Sequence, residues 1–191
     1  MANVDNPNGF LPSRHMKGGT IRANAYPIAS GYAADIFTGD AVIQTTDGVV
    51  NIATAGATNL IGVFHGVEWT AADGEVKFSR YWPSGTVTKG AANAKAYIYD
   101  DPDIAFAGQT VSGTALTQAM IGGNVDIVAT AGSPTTGQSA MELNIGTVVS
   151  TTAQCRLLGL IERADNALGE HADVEFMFVE HLLRPAGTVG I

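Results

Sequence analysis

The sequence predicts an all-β fold: a small antiparallel β-barrel or sandwich with an extended N-terminal arm. Val and Ile together number 29 residues against 10 Leu, and β-branched side chains favour strands over helices. Ala, Gly and Thr account for 70 of the 191 residues, which is unlike a Leu-, Lys- and Glu-rich helical bundle. About ten short apolar segments separated by turn sequences are typical of a barrel or sandwich. We therefore expect helix in less than about 15% of the chain.

Residues 1–35 are predicted to form the extended arm. Pro12 and Pro27 exclude a continuous helix, and no acid occurs at positions 6–34, so the segment is locally basic within an acidic chain. Its apolar residues follow neither helical nor strand periodicity, which predicts that it lies outside the body and contacts a partner or a neighbouring subunit. The candidate contact residues are Phe10, Leu11, Arg14, Lys17, Ile21 and Arg22.

The β-barrel-like body is predicted to span residues 36–191 and to begin with hairpins. Asp47-Gly48 and Asp73-Gly74 each lie between apolar, β-branched segments, which is the strongest short-range signal for a hairpin. Residues 60–69 alternate in polarity, which predicts a strand with one common face. The residues of that face are Ile61, Val63, His65, Val67 and Trp69.

The second half of the body is predicted to add further strands. They cover residues 95–99, 125–129, 141–150, 156–161 and 174–180. Residues 104–106 are expected to pair beyond an aspartate-rich turn at 100–103. Apolar residues within 112–123 have helical spacing, so the sequence leaves one short helix open there.

The charge balance restricts the partners of the protein. Ten Lys and Arg stand against 18 Asp and Glu, a net charge of −8, and such a surface is a poor match for phosphate backbones, so we expect no direct nucleic-acid binding. The first residues lack the basic and apolar regions of a secretory signal. The longest apolar run is about five residues, whereas a membrane helix needs roughly 20. We expect synthesis in a cytoplasm and no membrane insertion.

The sequence contains no recognisable catalytic motif. A phosphate-binding loop, a nucleophile elbow and a zinc-protease motif are all missing from it. Cys155, the single cysteine, excludes an internal disulfide and a CxxC metal site. His171 and His181 are interpreted as surface or partly buried residues rather than as metal ligands. The sequence thus predicts a protein that is not an enzyme, with no metal and no cofactor.

The run Asp100, Asp101, Asp103 has two interpretations. Carboxylates at such short spacing can bind calcium. The run lacks the glycine and glutamate of a complete calcium loop, and Asp-Pro is a common turn former. We therefore favour a structural turn and keep a bound cation as the alternative.

A carbohydrate-binding or hydrolytic barrel is another alternative, because aromatic rings can form a platform for sugars. The platform would consist of Trp69, Tyr81 and Trp82. The two tryptophans lie on neighbouring strands of a predicted hairpin, so packing in the core or against another subunit is the favoured interpretation.

A series of short motifs resembles the virion structural proteins of tailed phages that decorate or cement the capsid. After an opening with NVD at 3–5 and GF at 9–10, the resemblance rests on segments spread over most of the chain. They are AYIYDDP (96–102), GNVDI (123–127), TGQSAMEL (136–143), RLLGLI (156–161) and DNALG (165–169).

This resemblance implies a cement protein on the capsid exterior that binds the major capsid protein and has no catalytic residues. A protein that binds many equivalent positions on a closed shell is expected to be symmetric itself. We expect a homotrimer, with a dimer as the alternative. A tail or baseplate component would have the same composition, and the copy number per virion distinguishes the two.

Overall fold

The structure is a computed structural model that describes residues 3–184, and it is all-β, with 44% strand and 3% helix. The low helix content confirms the prediction. The strands are β1 (Leu11–His15), β2 (Asn24–Ile28), β3 (Ile36–Phe37), β4 (Ala41–Gln44), β5 (Val50–Ile52), β6 (Leu60–Thr70), β7 (Val76–Ser79), β8 (Tyr81–Trp82), β9 (Ala94–Tyr99), β10 (Ile104–Gln109), β11 (Asn124–Val128), β12 (Glu142–Val149), β13 (Cys155–Leu160) and β14 (Asp173–Phe178).

Two large antiparallel sheets organise the chain. The first sheet has the strand order β1-β10-β14-β13-β11-β12, and the second has the order β2-β9-β6-β4-β5, with β7 paired to the far half of β6. A third, two-stranded sheet joins β3 to β8. No sheet in residues 3–184 closes into a barrel. In the first sheet a single bridge between Thr110 and Leu143 links the region after β10 to β12.

Both predicted hairpins are present. Asp47-Gly48 connects β4 to β5 and Asp73-Gly74 connects β6 to β7. Gly48 has a φ of 76° and Gly74 a φ of 95°, in the left-handed region that glycine adopts without steric cost. These turns are local in sequence, which is why the dipeptide alone predicts them.

The predicted single face of residues 60–69 is wrong. Between Val42 and Ile43 of β4 the register of β6 shifts by one residue, and a second shift follows between Phe64 and Gly66 against β9. Each bulge inserts one residue and moves the following side chains to the opposite face. As a result Ile61 and Val63 pack into different cores.

The possible helix at 112–123 is also absent. The structure has only the 3-10 turn Gln118–Met120 in this part of the chain, and a second such turn at Lys89–Ala91. The predicted strands at 125–129, 141–150 and 156–161 correspond to β11, β12 and β13 within about two residues at each end.

Two apolar clusters stabilise the fold. The larger cluster lies between the two sheets and combines four phenylalanines with residues of β4 and β6 such as Ala41 and Val63. The smaller cluster lies on the other face of the second sheet and centres on Trp82 and Phe64. The first half of β6 is therefore buried on both faces, which explains its nearly continuous apolar sequence.

The N-terminal segment does not lie outside the body. β1 pairs with β10 at the edge of the first sheet, and β2 pairs with β9 at the edge of the second. Pro12 and Pro27 lie in these two strands, where a residue without an N–H is tolerated because the outer side of an edge strand has no partner. Residues 1–2 of the expected arm and 185–191 of the expected body lie outside the described residues.

Candidate functional site

The basic N-terminal segment has acidic partners within the same chain. Lys17 Nζ lies 2.7 Å from Asp103 Oδ2, and His15 Nε2 lies 3.1 Å from Asp101 Oδ2. Both carboxylates belong to the turn between β9 and β10, the strands with which β2 and β1 pair. The acidic turn is therefore the docking site of the N-terminal segment. The sequence alone did not predict this contact, because the two segments are far apart in the chain.

Asp100 completes this docking site. The Asn24 side-chain amide donates to Asp100 Oδ1 at 2.8 Å, and the Tyr26 hydroxyl donates to Asp100 Oδ2 at 2.6 Å. Burial and this hydrogen bond raise the pKa of Tyr26. The three aspartates of the turn thus contact different side chains of one segment and do not converge on a common point, so the cation alternative for this turn is not supported.

The six predicted contact residues are in different environments. Phe10 is fully buried, and its ring packs edge-on against Phe176 with a centroid distance of 4.8 Å. Ile21 is partly buried against the same cluster. Leu11 remains partly exposed, and Arg22 is exposed. Phe10 in particular serves the core and is not available to a partner.

Arg14 forms the most extensive ion pair of the segment. Its Nε and Nη2 donate to both oxygens of Glu175 at 2.7–3.1 Å, and Ser13 Oγ donates to the same carboxylate at 3.0 Å. The hydrogen bonds from Arg14 lower the pKa of Glu175. Arg14 and Lys17 therefore orient the segment on its own body.

The aromatic platform of the alternative interpretation is not assembled, and the tryptophans pack in the core as the favoured interpretation expects. Trp82 is fully buried, and Trp69 packs edge-on against it with a centroid distance of 5.8 Å. Tyr81 stacks on Phe37 at 5.4 Å. These rings fill the smaller core and its border, so they offer no shared surface for a sugar.

An uncovered sheet surface is the best candidate for binding. We define the outer face as the surface of β7, the second half of β6, the first half of β9 and β2 that lies opposite the smaller core and beyond the larger one. Cross-strand partners share a face, and the register aligns one row across these four strands, namely Phe78, Glu68, Lys95 and Pro27. Tyr97 lies on the same face, and its hydroxyl donates to Glu68 at 2.8 Å.

The outer face combines exposed apolar groups with little net charge. Phe78 is 73% exposed and Val76 is 53% exposed. Glu68 and Lys95 stand 3.8 Å apart and balance each other. A shallow groove of about 570 Å³ lies between Phe78 and Tyr97. A large exposed apolar side chain beside a groove and a neutralised charge pair is typical of an interaction surface.

A separate group of side chains converges near the N-terminus. One oxygen each of Asp5 and Glu142 and one ring nitrogen of His171 lie within 4.8 Å of one another. Glu142 opens β12, and His171 precedes β14 in a left-handed backbone conformation with a φ of 52°. Among residues 3–184 this is the group with the composition and spacing of metal ligands.

Two other titratable groups are buried in the cores. Asp40 accepts the Phe37 N–H at 2.7 Å through one oxygen, and burial raises its pKa to about 6. His181 accepts the Leu183 N–H at 3.2 Å, and burial lowers its pKa to about 4. Neither group reaches the outer face, so we treat them as determinants of stability.

Comparison with known proteins finds no relative: no family model, no curated protein and no solved structure matches the chain. Within the part of the chain that the structure describes, no helix has the length and apolar character required to cross a bilayer.

Proposed function

We propose that the protein is a virion structural component that binds the outside of a phage capsid through the outer face and stabilises the shell. The observation that supports this proposal is the exposed apolar row of β7 on an otherwise uncovered sheet. The sequence resemblance to capsid cement proteins supplies the partner, the major capsid protein. Within the same proposal, the two large sheets form a sandwich with the outer face as its binding side.

The exposed phenylalanine is the strongest argument for a partner. Full burial of one such side chain contributes about 1.5–3 kcal/mol. Aromatic side chains near the centre of an interface account for a large part of the binding energy. Phe78 projects beside a groove and is flanked by the apolar Val76. A capsid segment that covers this row would bury both side chains without leaving an unpaired charge.

The charge distribution favours the same surface. The chain has a net charge of −8, which disfavours nonspecific contacts with other acidic surfaces. The outer face has the paired charges Glu68 and Lys95 at its centre. Docking there avoids the desolvation of an isolated charge, which would cost several kcal/mol.

The experiment is a sedimentation assay with shells assembled from the major capsid protein of the same virus. Wild-type protein is expected to cosediment at saturating stoichiometry. Phe78→Ser removes the central apolar group and is expected to weaken binding at least tenfold, since about 1.4 kcal/mol corresponds to a factor of ten.

Leu183→Ser is the matched control. Leu183 is 57% exposed, and it adjoins the residues that contact Leu60 at the opposite end of β6 from Phe78. The control is expected to bind like wild type. Equal binding by Phe78→Ser and wild type would contradict the outer face as the contact. Failure of wild type to bind shells, with binding to purified tails instead, would favour the tail or baseplate alternative.

A further inference from the structure

The group Asp5, Glu142 and His171 combines two largely buried side chains with one exposed carboxylate. Glu142 is only 8% exposed, and its carboxylate lies close enough to Asp5 and His171 to interact electrostatically with both. His171 Nδ1 is buried and makes no hydrogen bond within residues 3–184. In this group it lies at ion-pair distance from the Asp5 carboxylate, 3.6 Å. A carboxylate oxygen of Glu142, one of Asp5 and a ring nitrogen of His171 lie within 4.8 Å of one another.

Such an arrangement is costly without a ligand. An unsatisfied buried polar group costs about 1–3 kcal/mol, and a charged one costs more. Burial raises the pKa of Glu142, and the nearby carboxylate of Asp5 raises it further. A divalent cation placed between the three side chains would offset these costs, because the two carboxylates and the ring nitrogen would then be its ligands.

The distances fit a small divalent ion. Zinc binds histidine nitrogen and carboxylate oxygen at about 2.0–2.2 Å, so its tetrahedral ligands lie about 3.4 Å apart. His171 Nδ1 and Asp5 Oδ1 are 3.6 Å apart. All ligand atoms lie within 4.8 Å of one another. The Asp5 side chain is mostly exposed and can rotate to close the remaining gap.

The donor set points to the class of metal. An imidazole nitrogen suits zinc and neighbouring transition metals, whereas calcium and magnesium prefer a shell of oxygen ligands. Three protein ligands leave a fourth position for water. A cavity of about 320 Å³ reaches His171 and is lined by side-chain amides of Asn3, Asn6 and Gln109. This cavity offers a solvent-connected path to His171.

We propose that Asp5, Glu142 and His171 bind one zinc-class divalent cation and thereby fasten the N-terminal segment to the first sheet. The ion would join three parts of the chain: the residues before β1, the start of β12 and the loop before β14. Asn3 already contacts that loop by donating to the carbonyl oxygens of Ala167 and Glu170 at 2.9 and 2.7 Å. The site does not depend on the proposed capsid function.

Calorimetric titration of tag-free, chelator-treated protein with Zn²⁺ tests the proposal. We expect one zinc per chain, a zinc-dependent rise in Tm, and a visible absorption spectrum of tetrahedral character with Co²⁺. Asp5→Asn and His171→Asn should each weaken zinc binding at least tenfold. Asn tolerates the left-handed backbone at position 171, and Asp5 is exposed, so both variants should fold.

Asp165→Asn is the matched control, because this exposed carboxylate lines the same cavity outside the ligand group. It should bind zinc like wild type. Absence of stoichiometric zinc binding would overturn the proposal. Binding that persists unchanged in Asp5→Asn and His171→Asn would overturn it as well, as would equal affinity for Ca²⁺.

Discussion

At the scale of single residues, the packing of Phe10 indicates that the N-terminal segment is part of the body. Its ring contacts Phe176 and Phe178 at centroid distances of 4.8 and 6.3 Å. Gly108 lies directly beneath it, since a Cβ at that position would approach the Phe10 ring to 2.8 Å. The ring is thus packed from several sides like any interior side chain.

We predict that Phe10→Ala lowers the free energy of unfolding by about 3–5 kcal/mol, the usual cost of removing a buried phenylalanine ring. Leu11→Ala, at the neighbouring partly exposed position, should cost less than about 1 kcal/mol. Urea unfolding followed by fluorescence measures both values. Similar small losses for the two variants would show that Phe10 is not part of the core.

Asp40 and His181 make opposite contributions to stability in acid. The folded pKa of Asp40, about 6, is above its unfolded value of about 3.9. Protonated Asp40 is therefore favoured in the folded state. The stabilisation that this proton provides is lost as pH rises from about 4 to 6. The folded pKa of His181, about 4, is below its unfolded value of about 6.5. The stabilisation from neutral His181 is therefore lost as pH falls from about 6.5 to about 4.

We predict that the two contributions largely cancel in wild type between about pH 4 and 6. Asp40→Asn should make the protein lose more stability on acidification than wild type, by roughly 2–3 kcal/mol, because the His181 contribution is then no longer offset by Asp40. His181→Gln should give the opposite slope. Urea unfolding at several pH values measures these slopes, with the exposed Asp47→Asn as control. Parallel curves of stability against pH for wild type and both core variants would contradict the contributions assigned to Asp40 and His181.

At the scale of elements, the N-terminal segment provides an edge strand for each sheet. β1 covers β10 and β2 covers β9, while the intervening residues run beside the acidic turn at 100–103. Removal of the segment would expose two strand edges and open the larger core at Phe10. The segment is therefore a structural part of both sheets.

We predict that deletion of residues 1–30 abolishes cooperative thermal unfolding. Deletion of residues 1–8 is the matched control, because it keeps Phe10 and both strands, and it should retain a cooperative transition. Circular dichroism and calorimetry distinguish the two outcomes. If the protein without residues 1–30 melts near the temperature of the full-length protein, the segment is an arm outside the body and this prediction is wrong.

The elements that could be predicted from the sequence are those that depend on residues close together in the chain. The Asp-Gly hairpins and most later strands follow from adjacent residues, because turn chemistry and alternation act over a few positions. The N-terminal strands depend on partners about 70–90 residues away, such as Asp100 and Asp103. The faces on which the β6 side chains lie could not be predicted, because two bulges shift the register of this strand. The outer face and the Asp5 group likewise arise only when distant strands are brought together.

At the scale of the whole molecule, the protein is an acidic two-sheet structure with an exposed, nearly neutral outer face, which we propose as the binding surface. Local threefold positions of a capsid lattice favour a homotrimer. We predict a trimer mass in native mass spectrometry or light scattering at micromolar concentration. A stable dimer would indicate binding at twofold positions, and a persistent monomer would contradict the prediction.

Cryo-electron microscopy of capsid shells incubated with the protein tests the central claim most directly. We predict density for the two-sheet body at many symmetry-related positions on the shell exterior, with β7 and the Phe78 side of the outer face against the major capsid protein. Shells without external density would contradict the proposed function. Bound density with the outer face turned to solvent would contradict the proposed surface.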